Sequence, residues 1–475
     1  MTVPVVLPAA SLAVPSVGPH DVASPSSTET TDETTALDER VRELTRQVAA
    51  LQAEMERLKG GEAAPSERLD ELERQIEILS EAIEDLTLGE AAPPAAESIR
   101  GFGPAASKVY SASGGVSLGG YGEMLYQNFD TERDDGAASG KTDQLDFLRQ
   151  IIYFGYKYND RILFNSEIEY EHANTEENGA VEVEFGYLDF RFNDHIGARA
   201  GLLLMPMGFI NELHEPPIFL GARRPDVARF LIPTTWSETG AGVFGEVGPV
   251  SYRAYVISGL DAAGLDQSGF SARGIRGGRQ KGSEALAEDL AFVARADWRV
   301  RSGLTVGASF YTGDAGQGAV APTSLQRIDA STDILEAHVE WRWRGLQTRG
   351  LWVTIDVDDA ALINDFQDPT RMLTDPSASV GEQMTGHYLE AGYDILAPRS
   401  TEQALIPFVR YEAFDTQDEV PAGFTRDPAN DVEIWTYGLS YKPIPNVVLK
   451  VDYQDYDNEA GTGTDQFNVA VGWLF

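Results

Sequence analysis

From Tyr110 to its last residue the chain repeats one pattern: a run of about ten residues alternating apolar with polar, then a connection, with short and long connections taking turns. The final run is the cleanest. Phe467, Val469, Val471, Trp473 and Phe475 fall on one face of an extended strand and Asn468, Ala470 and Gly472 on the other, because successive strand side chains point to opposite sides. Leu335, Ala337, Val339, Trp341 and Trp343 alternate in the same way with Glu336, His338, Glu340, Arg342 and Arg344. So do Ile162, Phe164, Ile168 and Tyr170 with Asn165, Glu167, Glu169 and Glu171. Alternation by itself fits a soluble sandwich, whose apolar faces pack inward, as well as a membrane barrel, whose apolar face meets lipid.

Three observations choose the barrel. Tight turns near Asn159, Asn193, Gly248, Ser302, Gly345, Arg399 and Pro445 are separated by long polar loops, the asymmetry of short periplasmic turns and long external loops. The runs number about sixteen, an even count of the kind bacterial barrels use. Aromatic residues gather at strand ends (Tyr153, Phe154, Tyr156 and Tyr158; Trp341 and Trp343; Trp435, Tyr437 and Tyr441) as interfacial girdles require. No stretch reaches the roughly 18 apolar residues of a membrane helix, so a crossing is made by strands, and strands in lipid must close to leave no unpaired edge. The expected fold is all-β: a transmembrane antiparallel barrel of about 16 strands over residues 110–475, set in an outer membrane with lipid around it.

The first part of the chain follows a different period. Leu37, Val41, Leu44, Val48, Leu51, Met55 and Leu58 step by four and three, as a heptad seam does. After Gly60, Gly61 and Pro65 a second seam runs through Leu69, Leu72, Ile76, Leu79, Ile83 and Leu86. Residues 36–88 are therefore expected to form an α-helical coiled-coil stalk on the periplasmic side, and residues 89–109, rich in Ala and Pro, a linker. Residues 1–35 read as a leader-like or disordered tail: Met1–Val14 is apolar but lacks a basic start and is broken by Pro4 and Pro8.

Composition narrows the function. A net charge of −38 opposes binding to nucleic acid or anionic lipid. Cysteine is absent, which removes disulfides, thiolate metal sites and thiol catalysis. His172, His195, His214, His338 and His387 show no zinc-ligand spacing, so no metal or cofactor is expected. Gly115-Val116-Ser117-Leu118-Gly119 fits a nucleophile pattern, but within a strand it lacks the elbow that exposes the serine, and no enzymatic activity is expected.

Two stretches, GLLLMPMGFINELHEPPIFLGARRPDVARFLIPTTWSETGAG from Gly201 to Gly242 and GIRGGRQKG from Gly274 to Gly282, carry a family likeness. Over most of Gly114–Phe475 the chain resembles the phosphate-selective porin O and P family. The resemblance implies a trimeric barrel with an inward-folded constriction loop. Selectivity in that family rests on arginine ladders and on lysines that do not map here residue by residue, so phosphate selectivity is not carried over.

The third long loop, 206–238, is stiffened by Pro206, Pro216, Pro217, Pro225 and Pro233 and holds Phe209, Ile218, Phe219 and Phe230. Solvated loops rarely carry so many large apolar residues, so this one is expected to be buried in the lumen. There Arg223, Arg224 and Arg229 would oppose Glu212, Glu215 and His214 across a pore constriction and select by size and charge. The alternative is that the arginines pair with Asp226 and pin the loop. Arg273, Arg276, Arg279 and Lys281 form a second basic run, a funnel for anionic solutes or a site for lipopolysaccharide phosphates. The inferred lumen lining is mixed: Glu167, Glu169, Glu171, Glu336, Glu340, Asp356, Glu390 and Asp452 against Arg295, Arg299, Arg342, Arg344, Arg410 and Lys450. The leading expectation is a homotrimeric porin passing small hydrophilic solutes or ions, assembled by the barrel-assembly machinery through terminal Phe475. The alternative is a structural protein tethering the membrane to peptidoglycan through the stalk.

Overall fold

The computed structural model describes residues 43–53, scattered helical positions up to 79, and residues 101–112, 114–174, 179–193, 195–399 and 401–475. The chain divides into two units, Met1–Glu90 and Ala91–Phe475.

In the first unit residues 43–53 are helical. Seam positions Leu44, Val48 and Leu51 are buried or half-buried while most of their neighbours are exposed, and Arg46 pairs with Glu43 one turn back. The tail 1–35, most of the second seam and linker residues 89–100 lie outside the described residues.

The second unit is a closed barrel of sixteen antiparallel strands, each paired with its sequence neighbours and β1 with β16. The strands are β1 Gly115–Phe129, β2 Gln144–Asn159, β3 Ile162–Glu171, β4 Val181–Arg191, β5 Gly197–Leu204, β6 Ser237–Val247, β7 Val250–Ser258 and β8 Leu290–Arg301. The rest are β9 Leu304–Gly313, β10 Thr332–Trp343, β11 Leu346–Val357, β12 Gln383–Tyr393, β13 Ala404–Glu419, β14 Asp431–Ile444, β15 Val447–Asn458 and β16 Gln466–Leu474. The expected class and strand number are both present, with the seven expected turns at one end and the other connections at the opposite end; six of the seven span two to five residues, whereas the one near Arg399 spans ten, residues 394–403. Phe475 completes the seam: its amide donates to the Gly120 carbonyl at 2.9 Å and its carbonyl accepts from the Gly120 amide at 3.0 Å.

Alternation decides which way each side chain points. Along β10, Leu335, Val339 and Trp343 are exposed on the outer wall while Glu336 and His338 are buried inside. Leu118, Phe154, Phe292, Phe310, Trp352, Leu389, Trp435 and Leu449 extend the outer apolar band to other strands, which is the surface a lipid bilayer requires.

The interior differs from a water-filled tube. Leu351, Val353, Ile355 and Val357 of β11 face inward and are buried, so this strand turns its apolar face to the interior and Asp356 points outward, exposed, instead of lining the lumen. Those side chains join one core with Met205, Met207, Phe209, Leu231, Ile232 and Trp236 of the β5–β6 loop. Burying each such side chain contributes about 1.5–3 kcal/mol, which holds the loop inside. The end of the expected linker also folds in. Residues 101–112 lie against the inner wall, with the Phe102 ring 5.1 Å from Phe185 and 5.4 Å from Tyr187. Glycines make room for them: a Cβ at Gly155 would stand 2.6 Å from Val109, and one at Gly119 would stand 2.9 Å from the Ala105 carbonyl.

Candidate functional site

The β5–β6 loop, residues 205–236, is closed at its neck by Asn211. Its side-chain amide donates to the carbonyls of Met205 at 2.6 Å and Trp236 at 3.0 Å and accepts from the Trp236 amide at 2.7 Å. Prolines suit such a loop because they bring no N–H to satisfy away from water. From the neck, wall side chains seize the loop backbone around the barrel. Arg349 donates to the Ile218 carbonyl, Lys442 to Pro217 and Lys450 to Gly221, at 2.8, 2.8 and 2.9 Å. Asp452 accepts from the Ala222 amide and Glu412 from Val227, and Arg295 donates to the Gly208 carbonyl.

Between these anchors runs a ladder of buried and half-buried ion pairs. Arg199 meets Asp189 at 2.7 Å and Arg410 meets Glu412 at 2.7 Å. Arg349 and Arg342 share Glu340, while His338 bridges Asp297 and Glu336. Charges this deep are tolerated because they are paired. Lys450 lies over the Phe219 ring. Glu336, Glu340, Arg342 and Lys450 point inward and meet protein rather than an open water column. Arg344 does not. It sits in the β10–β11 turn at φ 48°, exposed and 5.3 Å from the Trp343 ring, because the strand ends one residue earlier.

The expected constriction is arranged differently. Arg229 and Arg223 both pair with Asp226, at 2.6 and 3.9 Å, and Arg224 donates to the His214 carbonyl at 3.2 Å. None of the three forms an ion pair with Glu212 or Glu215. Glu212 instead meets Arg253 at 3.1 Å and Arg295 at 3.9 Å on the wall. Glu215 accepts the amides of Ala105 and Ala106 at 3.0 and 3.1 Å. The physical reason is burial: each carboxylate pulled under the wall takes the nearest donors, and the arginines pin the loop to itself. Burial pushes the Glu215 carboxyl up to about 7, against the pull of those two amides.

The second basic run remains open. Arg273, Arg276, Arg279 and Lys281 line a cavity of about 640 Å³ at the long-loop end, with Glu182, Phe230 and Gln280. Arg276 and Arg279 donate to the Thr234 carbonyl, fixing their stems on the buried loop, and burial beside Arg279 holds the Arg276 guanidinium below its usual value. Among the described residues no carboxylate forms an ion pair with Arg273, Arg276 or Arg279, whereas Lys281 meets Glu182 at 2.6 Å.

Sequence reasoning overlooked three contributors. Asn211 carries no pattern. The amino-terminal segment looks like a linker, although Phe102 and Val109 in an Ala-rich stretch are a signal of docking. Glu167, Glu184 and His214 come together from β3, β4 and the loop, a grouping that no linear spacing encodes.

Fold and site together define a closed sixteen-strand barrel whose lumen is filled by its third long loop and by residues 101–112. A protein of Aquifex aeolicus (strain VF5), described as an uncharacterized protein, is 38% identical over 383 residues, covering 79% of this chain and 83% of that protein. The chain belongs to the same family. No family model matches it. Among solved structures it is similar to Salmonella typhi OmpF in complex with daunomycin, at 11% identity and a TM-score of 0.49 over 76% of this chain and 98% of that one. It is also similar to the outer membrane channel DcaP of Acinetobacter baumannii, at 14% identity and a TM-score of 0.48 over 76% and 97%. A third is the trimer form of OmpT, an outer membrane protein of Vibrio cholerae, at 11% and 0.46 over 77% and 100%.

Proposed function

We propose that the protein is an outer-membrane channel for small hydrophilic anions, entered through the basic vestibule and closed at rest by the β5–β6 loop and residues 101–112. The vestibule carries this reading. Three guanidinium groups that have no carboxylate partner among the described residues line a cavity large enough for a small solute, and clustered positive charge raises the local anion concentration. A small oxyanion such as phosphate suits the charge and size of this cavity. Lipopolysaccharide phosphates at the mouth would use the same groups.

The measurement is reversal potential in planar bilayers under a salt gradient. Anion preference is expected in the wild type, with a shift toward cations in the Arg273→Ala, Arg276→Ala, Arg279→Ala variant. Equal potentials in both would remove the vestibule from the mechanism. A second reading, a structural anchor whose coiled-coil stalk engages peptidoglycan, is favoured by the packed lumen; absence of conductance both from the wild type and from folded protein lacking residues 101–112 would select it. Trimer assembly and recognition of Phe475 by the assembly machinery belong to the same proposal, the stalk then lying in the periplasm.

A further inference from the structure

Three buried side chains serve neither the ion-pair ladder nor the vestibule: Glu167 on β3, Glu184 on β4 and His214 on the inserted loop. Their relative exposures are 0%, 4% and 1%. His214 Nδ1 stands 2.9 Å from the Asn211 carbonyl oxygen. That oxygen can only accept, so Nδ1 carries the ring hydrogen, and in the neutral imidazole Nε2 presents a lone pair. Nε2 points at two carboxylate oxygens, Glu167 Oε1 at 3.0 Å and Glu184 Oε2 at 3.5 Å. One donor atom from each residue lies within 4.8 Å of the other two.

An imidazole lone pair and two carboxyl groups therefore converge on one point. Glu167 Oε2 and Glu184 Oε2 are buried without a hydrogen-bond partner. Nearby Arg149 is committed to Glu123 and Glu169 at 3.5 and 3.2 Å, and Arg224 is bonded to the His214 carbonyl. Among the described residues, Glu167 and Glu184 have His214 as their only ion-pair partner. Two buried carboxyl groups facing one imidazole lone pair are costly when ionised, and either a proton or a bound divalent cation neutralises them.

We propose that Glu167, Glu184 and His214 bind one divalent transition-metal ion of the zinc class. Donors about 2.1 Å from a tetrahedral zinc stand roughly 3.4 Å apart, close to the 3.0 and 3.5 Å already present. An imidazole nitrogen in the set disfavours calcium and magnesium, which take oxygen ligands. The Nδ1 hydrogen bond to a backbone carbonyl is the support that ligating histidines use. It comes from Asn211, whose side chain closes the loop's neck, so the ion clasps wall to loop beside Glu215, the anchor of residues 101–112.

The test uses full-length protein folded in detergent, stripped with EDTA and titrated with zinc chloride by calorimetry, with metal content read by mass spectrometry. One Zn2+ per chain is expected, undisplaced by a tenfold excess of Mg2+. Co2+ in its place should give the visible absorption of a low-symmetry site with nitrogen ligation. Glu184→Gln and His214→Gln should weaken zinc binding tenfold or more, while Asp135→Asn in an exposed loop should leave it unchanged. Folding is checked by heat-modifiable migration on gels; if either site variant fails to fold, wild-type stoichiometry and the Co2+ spectrum decide. Less than one Zn2+ per folded wild-type chain, or unchanged affinity in folded Glu184→Gln, would overturn the site and leave a proton on Nε2 as what joins the three groups.

Discussion

Glu215 shows how one buried carboxyl ties two segments distant in sequence. It holds the amides of Ala105 and Ala106 from a loop more than a hundred residues away. Its folded value is raised, from 4.5 to about 7, so the contribution runs in a definite direction. The protonated acid is the form the fold prefers; the stabilisation is complete below about 4.5 and is lost as pH rises through about 7. Residues 101–112 should accordingly be held more firmly at pH 5 than at pH 8. Limited trypsin cleavage after Lys108, which requires local opening, should be faster at the higher pH. Glu215→Gln should flatten that dependence; a profile identical to the wild type would show that another group sets it.

At the scale of elements, residues 101–112 depend on a smooth inner wall. Gly155 provides it, since any side chain there meets Val109. Gly155→Leu should expel the segment while leaving the β2 hydrogen bonds to β1 and β3 intact, because residue 155 keeps its strand conformation. The expected outcome is a higher unitary conductance in planar bilayers and rapid cleavage after Lys108, at unchanged heat-modifiable migration. This element also marks where legibility ended. The strands could be read because a two-residue period and turn chemistry are local. The inserted loop could be read from its prolines and buried aromatics. The pairing of Glu212 with Arg253 and Arg295, the seizure of the amino-terminal segment by Glu215, and the outward turn of Asp356 depend on which surfaces meet inside a closed barrel, and nothing local to those residues encodes that.

For the whole molecule, closure is the decisive event, and Phe475 takes part through two backbone hydrogen bonds to Gly120. Deleting it removes about 2 kcal/mol at the seam that abolishes both sheet edges. The folded fraction recovered in outer membranes should fall severalfold, as quantified by the heat-modifiable band; full recovery would show that the β1–β16 ladder closes without its last residue.

The apolar inner face of β11 bears on what happens before closure. Leu351 to Val357, reading LWVTIDV, is rich in β-branched and aromatic residues and holds one charge, Asp356. In a chain still surrounded by water such a stretch is a nucleus for intermolecular aggregation. Asp356, Asp358 and Asp359 at its end act as gatekeepers against it. The packing that seals the finished barrel therefore makes the unfolded chain sticky in transit, and recovery on refolding is set by how soon the β5–β6 loop covers that strand.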